Sequence, residues 1–227
     1  MKRDAGEIGS LDTDESIARV HLFSDLKVLS IGIDFERQAH DAGFRFVAGV
    51  DEVGRGCLAG PVVAGACILD ISKPLPKGLN DSKKLNAAQR EKIADELREN
   101  CIAYAVGIVD AEEIDRINIL QATFAAMRLA IEQLKPQADF LLIDAVPLKG
   151  HPLPQKSIIK GDAISASITA ASILAKTYRD KLMTEYDMQF PQYGFSSHVG
   201  YGTKQHFEAL RAHGPCPLHR RSFRGVV

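Results

Sequence analysis

The chain has 227 residues, 45% hydrophobic and 25% charged, enough for one sizeable core and ordinary for a globular protein. No apolar run reaches the roughly 18 residues that suggest a membrane span. The opening MKRDAGEIGSLDTDE puts acids where a secretory leader needs an apolar stretch, so a cytoplasmic protein is expected. Cys57, Cys67, Cys101 and Cys216 form no C-x-x-C pair, which argues against a zinc knuckle or redox motif and leaves them as reduced, small apolar residues. The net charge of −1 gives no overall hint of a polyanionic partner, but its distribution is uneven. Residues 1–50 hold six Lys/Arg against nine Asp/Glu, whereas residues 188–227 hold five Lys/Arg against Glu208 alone. His198, His206 and His219 lie near those basic residues, and such an end is compatible with a phosphate backbone or with a solvated tail.

Residues 1–33 show no core-forming pattern and are read as a disordered N-terminal extension before a single domain over residues 34–227. Asp34 to Ala42 reads as a short helix stopped by Gly43. Phe46–Asp51 and Val62–Leu69 read as strands around the glycine-rich GRGCLAGP. Asn86 with Gln89 resembles a capping box opening a helix to about Asn100, with Ile93 and Leu97 inward. Residues 101–109 form a third strand, and Asp110 with Glu113 marks another helix start. Leu120, Phe124, Met127, Ile131 and Leu134 recur at helical spacing and predict an amphipathic core helix. Phe140–Val146 is a buried strand carrying one acid, and Ser157–Lys160 a short fifth strand. A long helix follows Asp162; its first half is mostly small residues, so something should pack closely on it. Thr203–His213, stopped by Gly214, is the last helix. Strands followed by helices alternating with strands predict an α/β fold with a mixed sheet.

The chemistry-bearing residues are acids in apolar strands. Asp51 and Glu52 end one strand, and Asp144 follows Leu141, Leu142 and Ile143 in another. Carboxylates in such places are seldom buried unless paired or bound to a cation. Acids converging at strand ends repel one another unless a cation joins them, and a hard cation such as Mg²⁺ wants oxygen ligands. The loop Gly49–Gly56 is not a phosphate loop: Lys-Ser/Thr is missing after its last glycine, and the G-x-G-x-x-G spacing is absent. Gly54 and Gly56 around Arg55 instead suggest a backbone that approaches a ligand closely.

The run Val50-Asp51-Glu52-Val53-Gly54-Arg55-Gly56, continued by Leu58-Ala59-Gly60-Pro61-Val62-Val63, resembles the signature of the ribonuclease HII family. So do Leu79-Asn80-Asp81-Ser82-Lys83-Lys84-Leu85, Leu142-Ile143-Asp144, Ile159-Lys160-Gly161-Asp162 and the helix from Ser165 to Lys176. The ending, with Gly200-Tyr201-Gly202-Thr203 and His219-Arg220-Arg221-Ser222-Phe223, is similar as well. The resemblance implies a ribonuclease-H-like mixed sheet flanked by helices, with a helical C-terminal part. It implies that Asp51, Glu52, Asp144 and Asp162 are catalytic and hold Mg²⁺ or Mn²⁺. It implies that Gly54, Arg55, Gly56, Ser82, Lys83 and Tyr201 bind substrate, the tyrosine against the sugar of the adjoining deoxynucleotide. The implied activity is two-metal-ion cleavage of the RNA strand of RNA/DNA hybrids and of ribonucleotides embedded in duplex DNA, leaving 5′-phosphate and 3′-hydroxyl ends. The tail shows no clear sliding-clamp motif of the kind archaeal and eukaryotic relatives carry and looks bacterial, and the resemblance implies a monomer. Cys57 stands where the family more often has proline, which predicts a less rigid loop exit. The rival readings are a ribonuclease HIII-like hybrid nuclease and a non-catalytic hybrid-binding protein.

Overall fold

The computed structural model describes residues 30–227, so the expected N-terminal extension lies, up to residue 29, outside the described residues. Five strands form one mixed sheet: β1 (Val47–Val53), β2 (Val62–Ile68), β3 (Ala103–Val109), β4 (Phe140–Asp144) and β5 (Gln155–Ile158), in the order β3-β2-β1-β4-β5. β1, β2 and β3 make an antiparallel meander, while β4 pairs parallel to β1 and β5 parallel to β4. The helices are α1 (Asp34–Asp41), α2 (Ala87–Asn100), α3 (Ala111–Ile117), α4 (Ile119–Glu132), α5 (Ala166–Gln189), α6 (Phe195–His198) and α7 (Lys204–His213). Helices cover both faces and the last two cluster at the C-terminal end, as the resemblance implies.

Capping residues set most helix starts. Asn86 and Gln89 form a reciprocal capping box on α2, Asp110 accepts the Glu113 N–H of α3, and Thr203 accepts the His206 N–H of α7. Glu36 reaches from α1 to the start of α5, where its buried carboxylate accepts the Ser167 N–H and the hydroxyls of Ser165 and Ser167. Gly32 pairs with Ser165 as an isolated bridge, so attachment of the chain to the start of α5 begins before α1.

The close packing expected on the small-residue half of α5 is made by two strand glycines. A Cβ on Gly49 would sit 2.0 Å from the Ser167 carbonyl carbon, and one on Gly65 2.3 Å from the Ala171 oxygen. α5 therefore lies backbone-to-backbone on β1 and β2. On the other face, a Cβ on Gly107 would fall 2.0 Å from the Ala126 oxygen of α4. That approach changes which side of α4 is inward. Leu120 is 41% exposed and Phe124 only partly buried, while Ala122, Thr123, Ala126, Met127, Ala130 and Ile131 face the sheet. The expected stripe holds at Met127, Ile131 and Leu134 but fails at Leu120, because the small side fits against Gly107.

Further boundaries differ from expectation: β5 runs Gln155–Ile158 rather than Ser157–Lys160, and β3 starts at Ala103 rather than Cys101. β4 ends at Asp144 rather than Val146, because Ala145 turns to φ +54. α5 starts at Ala166 behind the cap Ser165, and Asp162 sits in a preceding 3-10 turn, Gly161–Ala163.

A second small core joins α5 to the C-terminal part through Leu58, Met183, Tyr193, Phe195 and Leu210. The three histidines belong to it. His198, His206 and His219 are buried, not turned toward a phosphate backbone. Their tautomers follow from their partners. The Tyr193 and Tyr201 carbonyls can only accept, so His198 Nε2 and His206 Nδ1 each carry a proton. The Gly200 and Cys216 amides can only donate, so His198 Nδ1 and His219 Nδ1 are bare. His219 Nε2–H then donates to His206 Nε2 at 3.0 Å. All six ring nitrogens are matched in the neutral state, which is why these rings are core and not cationic surface.

Candidate active site

Two carboxylates meet at the C-terminal ends of the parallel strands. Val50 pairs with Ile143, so the next step along β1 and β4 sets Asp51 beside Asp144. Asp51 points to the α5 face and is 6% exposed. It accepts the Glu52 N–H at 2.8 Å and the Ser172 hydroxyl. Asp144 accepts the Asp162 N–H at 3.4 Å, which ties the 3-10 turn to the strand end. Glu52 is paired with Arg55 at 3.1 Å, and Asp162 with Lys83 at 2.8 Å.

The electrostatics follow from burial and like charge. Burial first, then the Glu52 charge, pushes the Asp51 carboxyl well above the usual carboxylate range. Burial also raises Glu52, against the opposing pull of Arg55. Asp144 is raised by burial and then by Asp162. Lys83 is raised by its bond to Asp162. Arg55 and Lys83 thus neutralise the flanking pair, while the central pair Asp51 and Asp144 has no ion-pair partner among the described residues.

These acids border a cleft of about 250 Å³. Asp51, Glu52 and Asp144 line it, as do Gly54, Arg55, Gly56, Ser82, Lys83 and Tyr201. Of the expected site residues only Asp162 is outside its lining, joined through Lys83 and Asp144. Lys83 is brought in across 79 residues of chain. Ser82 is buried, its hydroxyl 3.2 Å from that of Ser172, so it braces the floor more than it faces a ligand.

The Gly54–Gly56 loop needs its glycines for different reasons. Gly54 has φ +89, and a Cβ there would lie 2.3 Å from Arg179 Nε. Beside Gly56 there is open space. At the loop exit, where the loss of proline predicts less rigidity, two contacts hold Cys57. The Cys57 N–H donates to the Gly54 carbonyl, a bond proline cannot make, and the buried Cys57 thiol contacts the Tyr201 hydroxyl. Tyr201 stays 44% exposed on the rim.

Ser172, Lys176 and Arg179 were not singled out individually by sequence reasoning. They lie at i, i+4 and i+7 on α5, a polar stripe within a helix of small residues, and that spacing was the available signal. Ser172 and Lys176 line the cleft. Arg179, fully buried, donates to the carbonyls of Ala59, Pro61 and Val199. Val199 takes φ +45, a strained position for a β-branched residue, just before Gly200 and Tyr201. Arg220, expected on a basic surface, is also fully buried; burial pulls it down to about 10, still charged at neutral pH.

The donor set is all oxygen, and the central acids resist ionisation without a cation, which fits a hard divalent ion. The fit is incomplete in one respect: among the described residues no three His, Cys, Asp or Glu side chains converge as a ligand cluster. Also among the described residues, no helix is long and apolar enough to cross a membrane.

A mixed sheet with helices on both faces and acids at the ends of adjacent parallel strands defines the ribonuclease-H-like class. The family model for ribonuclease HII matches residues 48–226. A ribonuclease HII of Ruminiclostridium cellulolyticum is 53% identical over 191 residues, 84% of this chain and 74% of the relative. The crystal structure of ribonuclease H2 from Pyrococcus horikoshii superposes with a TM-score of 0.68 at 27% identity, covering 80% of this chain and 95% of that one. A Bst ribonuclease HIII, crystallised in complex with Mn²⁺, shares the fold with a TM-score of 0.61 at 21% identity, covering 83% and 70%. This chain belongs to the ribonuclease HII family and is an endoribonuclease.

Proposed function

We propose that the protein cuts the RNA strand of RNA/DNA hybrids and cuts at single ribonucleotides embedded in duplex DNA, as a cytoplasmic monomer. The observation that carries this reading is the juxtaposition of Asp51 and Asp144, both held above their ordinary pKa, beneath a glycine loop with Tyr201 on its rim. Mg²⁺ or Mn²⁺, held by Asp51, Glu52, Asp144 and Asp162, would supply an activated water and neutralise charge on the reacting phosphate and leaving oxygen. The ribonuclease HIII neighbour in complex with Mn²⁺ supports that choice of ion.

The chain's own groups do the rest. Lys83, Lys176 and Arg55 offer positive charge to the phosphodiester backbone along the cleft. Ser172 keeps Asp51 oriented through its hydroxyl. The 2′-hydroxyl is what separates RNA from DNA, and the glycine loop brings backbone amides within reach of it. Tyr201 offers a ring face to the sugar of the next nucleotide.

The test is cleavage of a DNA duplex carrying one ribonucleotide, beside an all-DNA duplex and a uniform RNA/DNA hybrid, with and without EDTA. Cutting of both ribonucleotide substrates, 5′-phosphate and 3′-hydroxyl ends, and loss of activity in EDTA are expected. Activity on long hybrids alone would favour a ribonuclease HIII-like specificity. Binding without cutting would favour a hybrid-binding protein.

A further inference from the structure

Arg220 is fully buried and has no carboxylate within ion-pair distance among the described residues. Its guanidinium lies over the Phe223 ring at 5.1 Å, and its donors are spent on three backbone carbonyls. They are Gly54 at 2.7 Å, Arg55 at 2.9 Å and Gly60 at 3.0 Å. A buried cation in no direct ion pair, with only the more distant Asp115 charge to favour it, is a poor way to stabilise a fold, since apolar side chains of similar volume usually do as well or better. Its partners therefore matter more than its charge, and two of the three belong to the loop that lines the cleft.

A trans peptide unit holds its C=O and N–H in opposite directions. Fixing the Gly54 and Arg55 carbonyls on Arg220 turns the Arg55 and Gly56 N–H groups away from Arg220, which does not line the cleft, toward the side that does. Among the described residues neither N–H donates to a protein acceptor, whereas the Cys57, Leu58 and Gly60 amides further along the loop donate to the Gly54, Gly200 and Leu218 carbonyls. Gly56 has open space beside it. Two adjacent unspent donors on a fixed backbone, facing a cleft, are built for an acceptor from outside. A cationic donor on each carbonyl also polarises the amide behind it and strengthens its N–H as a donor.

We propose that Arg220 is a specificity-determining positioning residue: by clasping the Gly54 and Arg55 carbonyls it aims the Arg55 and Gly56 amides at the ribonucleotide's 2′-hydroxyl oxygen. This rests on the reading of the cleft as a ribonucleotide site. Lysine at this position keeps the charge but not the planar fork that reaches three carbonyls.

The experiment combines amide NMR with kinetics on the full chain. The Arg55 and Gly56 ¹⁵N–¹H resonances are compared in wild type and Arg220→Lys without substrate, and kcat and KM are measured on the single-ribonucleotide duplex. Both resonances should shift, and kcat should fall about tenfold to a hundredfold, the range for losing a hydrogen bond to a charged group. KM should stay near the wild-type value, because phosphate contacts dominate affinity. In Arg220→Ala, millimolar guanidinium but not methylammonium should restore cutting with no matching rise in Tm. Unmoved amide resonances, an unchanged kcat, or a rescue that only follows Tm would each overturn the proposal and leave Arg220 as a structural plug. Should the wild type itself not distinguish ribonucleotide from deoxynucleotide, the site reading falls. The amide shifts then decide alone whether Arg220 sets the loop.

Discussion

At the residue scale, Asp51 sits where the fold works against it. Its carboxyl is held above the ordinary range by burial and by Glu52, so ionising it costs more in the folded chain than in the unfolded one. The sign follows: this strain is absent at acid pH and grows as pH rises through the raised value. Asp51→Asn removes the charge and keeps an oxygen to accept the Glu52 N–H. In EDTA the variant should melt at or above the wild-type temperature. It should keep hybrid binding and lose cleavage by about a hundredfold to a thousandfold, the scale for removing one charge-stabilising group. Mg²⁺ should raise the wild-type Tm and leave the variant's nearly unmoved. Substantial cleavage by the variant would remove Asp51 from the metal-holding set.

The histidine chain gives a pH dependence of opposite sign. His219 is lowered from 6.5 to about 4, by burial and then by His206. Between those values the unfolded chain takes up a proton that the folded one refuses, because its bare nitrogen already faces the Cys216 N–H. This contribution is full above 6.5 and is lost as pH falls toward 4. His219→Gln should flatten the urea midpoint against pH in that window relative to wild type, a comparison in which the carboxylates largely cancel. Parallel profiles for the two proteins would mean that His219 titrates normally.

At the element scale, the position of α5 is decided by Gly49 and Gly65, whose missing side chains let the helix backbone touch β1 and β2. That contact carries Ser172 to Asp51 and Lys176 to the cleft. Gly49→Ala must push the helix off, and overpacking of this kind typically costs about 1–3 kcal/mol or more. Urea unfolding should show that loss, and cleavage should fall further than stability explains, since the helix carries site residues. A neutral Gly49→Ala would show that the helix has room to retreat. The small-residue half of α5 was legible as a close-packing surface, but its partners were not, because glycine leaves no hydrophobic signal. For the same reason the inward side of α4 could not be read from its largest apolar residues: Leu120 lost to Ala126 because the sheet offers Gly107 there.

At the scale of the whole molecule, all the expected site residues lie between positions 51 and 201, and the folded layer is fastened from Gly32 and Glu36 onward. Removing residues 1–30 should therefore leave Tm and cleavage close to those of the full chain. Removing residues 1–36 should lower Tm clearly, because the start of α5 loses the Glu36 carboxylate. A charged cap of this kind is worth about 1–2 kcal/mol. Circular dichroism melts and the single-ribonucleotide assay on the two shortened chains would check both. Loss of activity in the first would assign a role to the extension.

The sequence by itself determined what depends on neighbours a turn away. It set the capping box at Asn86, the caps at Asp110 and Thr203, the adjacent Asp51 and Glu52, and a glycine loop able to come close to a ligand. Its run of motifs also determined the family. Only the tertiary structure decided what depends on partners far along the chain. Strand register put Asp144 beside Asp51, Lys83 found Asp162 across 79 residues, and Arg220 found Gly54 across 166. The basic C-terminal end misled for a physical reason. Charge type predicts attraction to phosphate only for groups that stay in water, and burial is settled by packing. In the folded chain Arg220 spends its donors on carbonyls, and the three histidines close a neutral network that no local pattern announces.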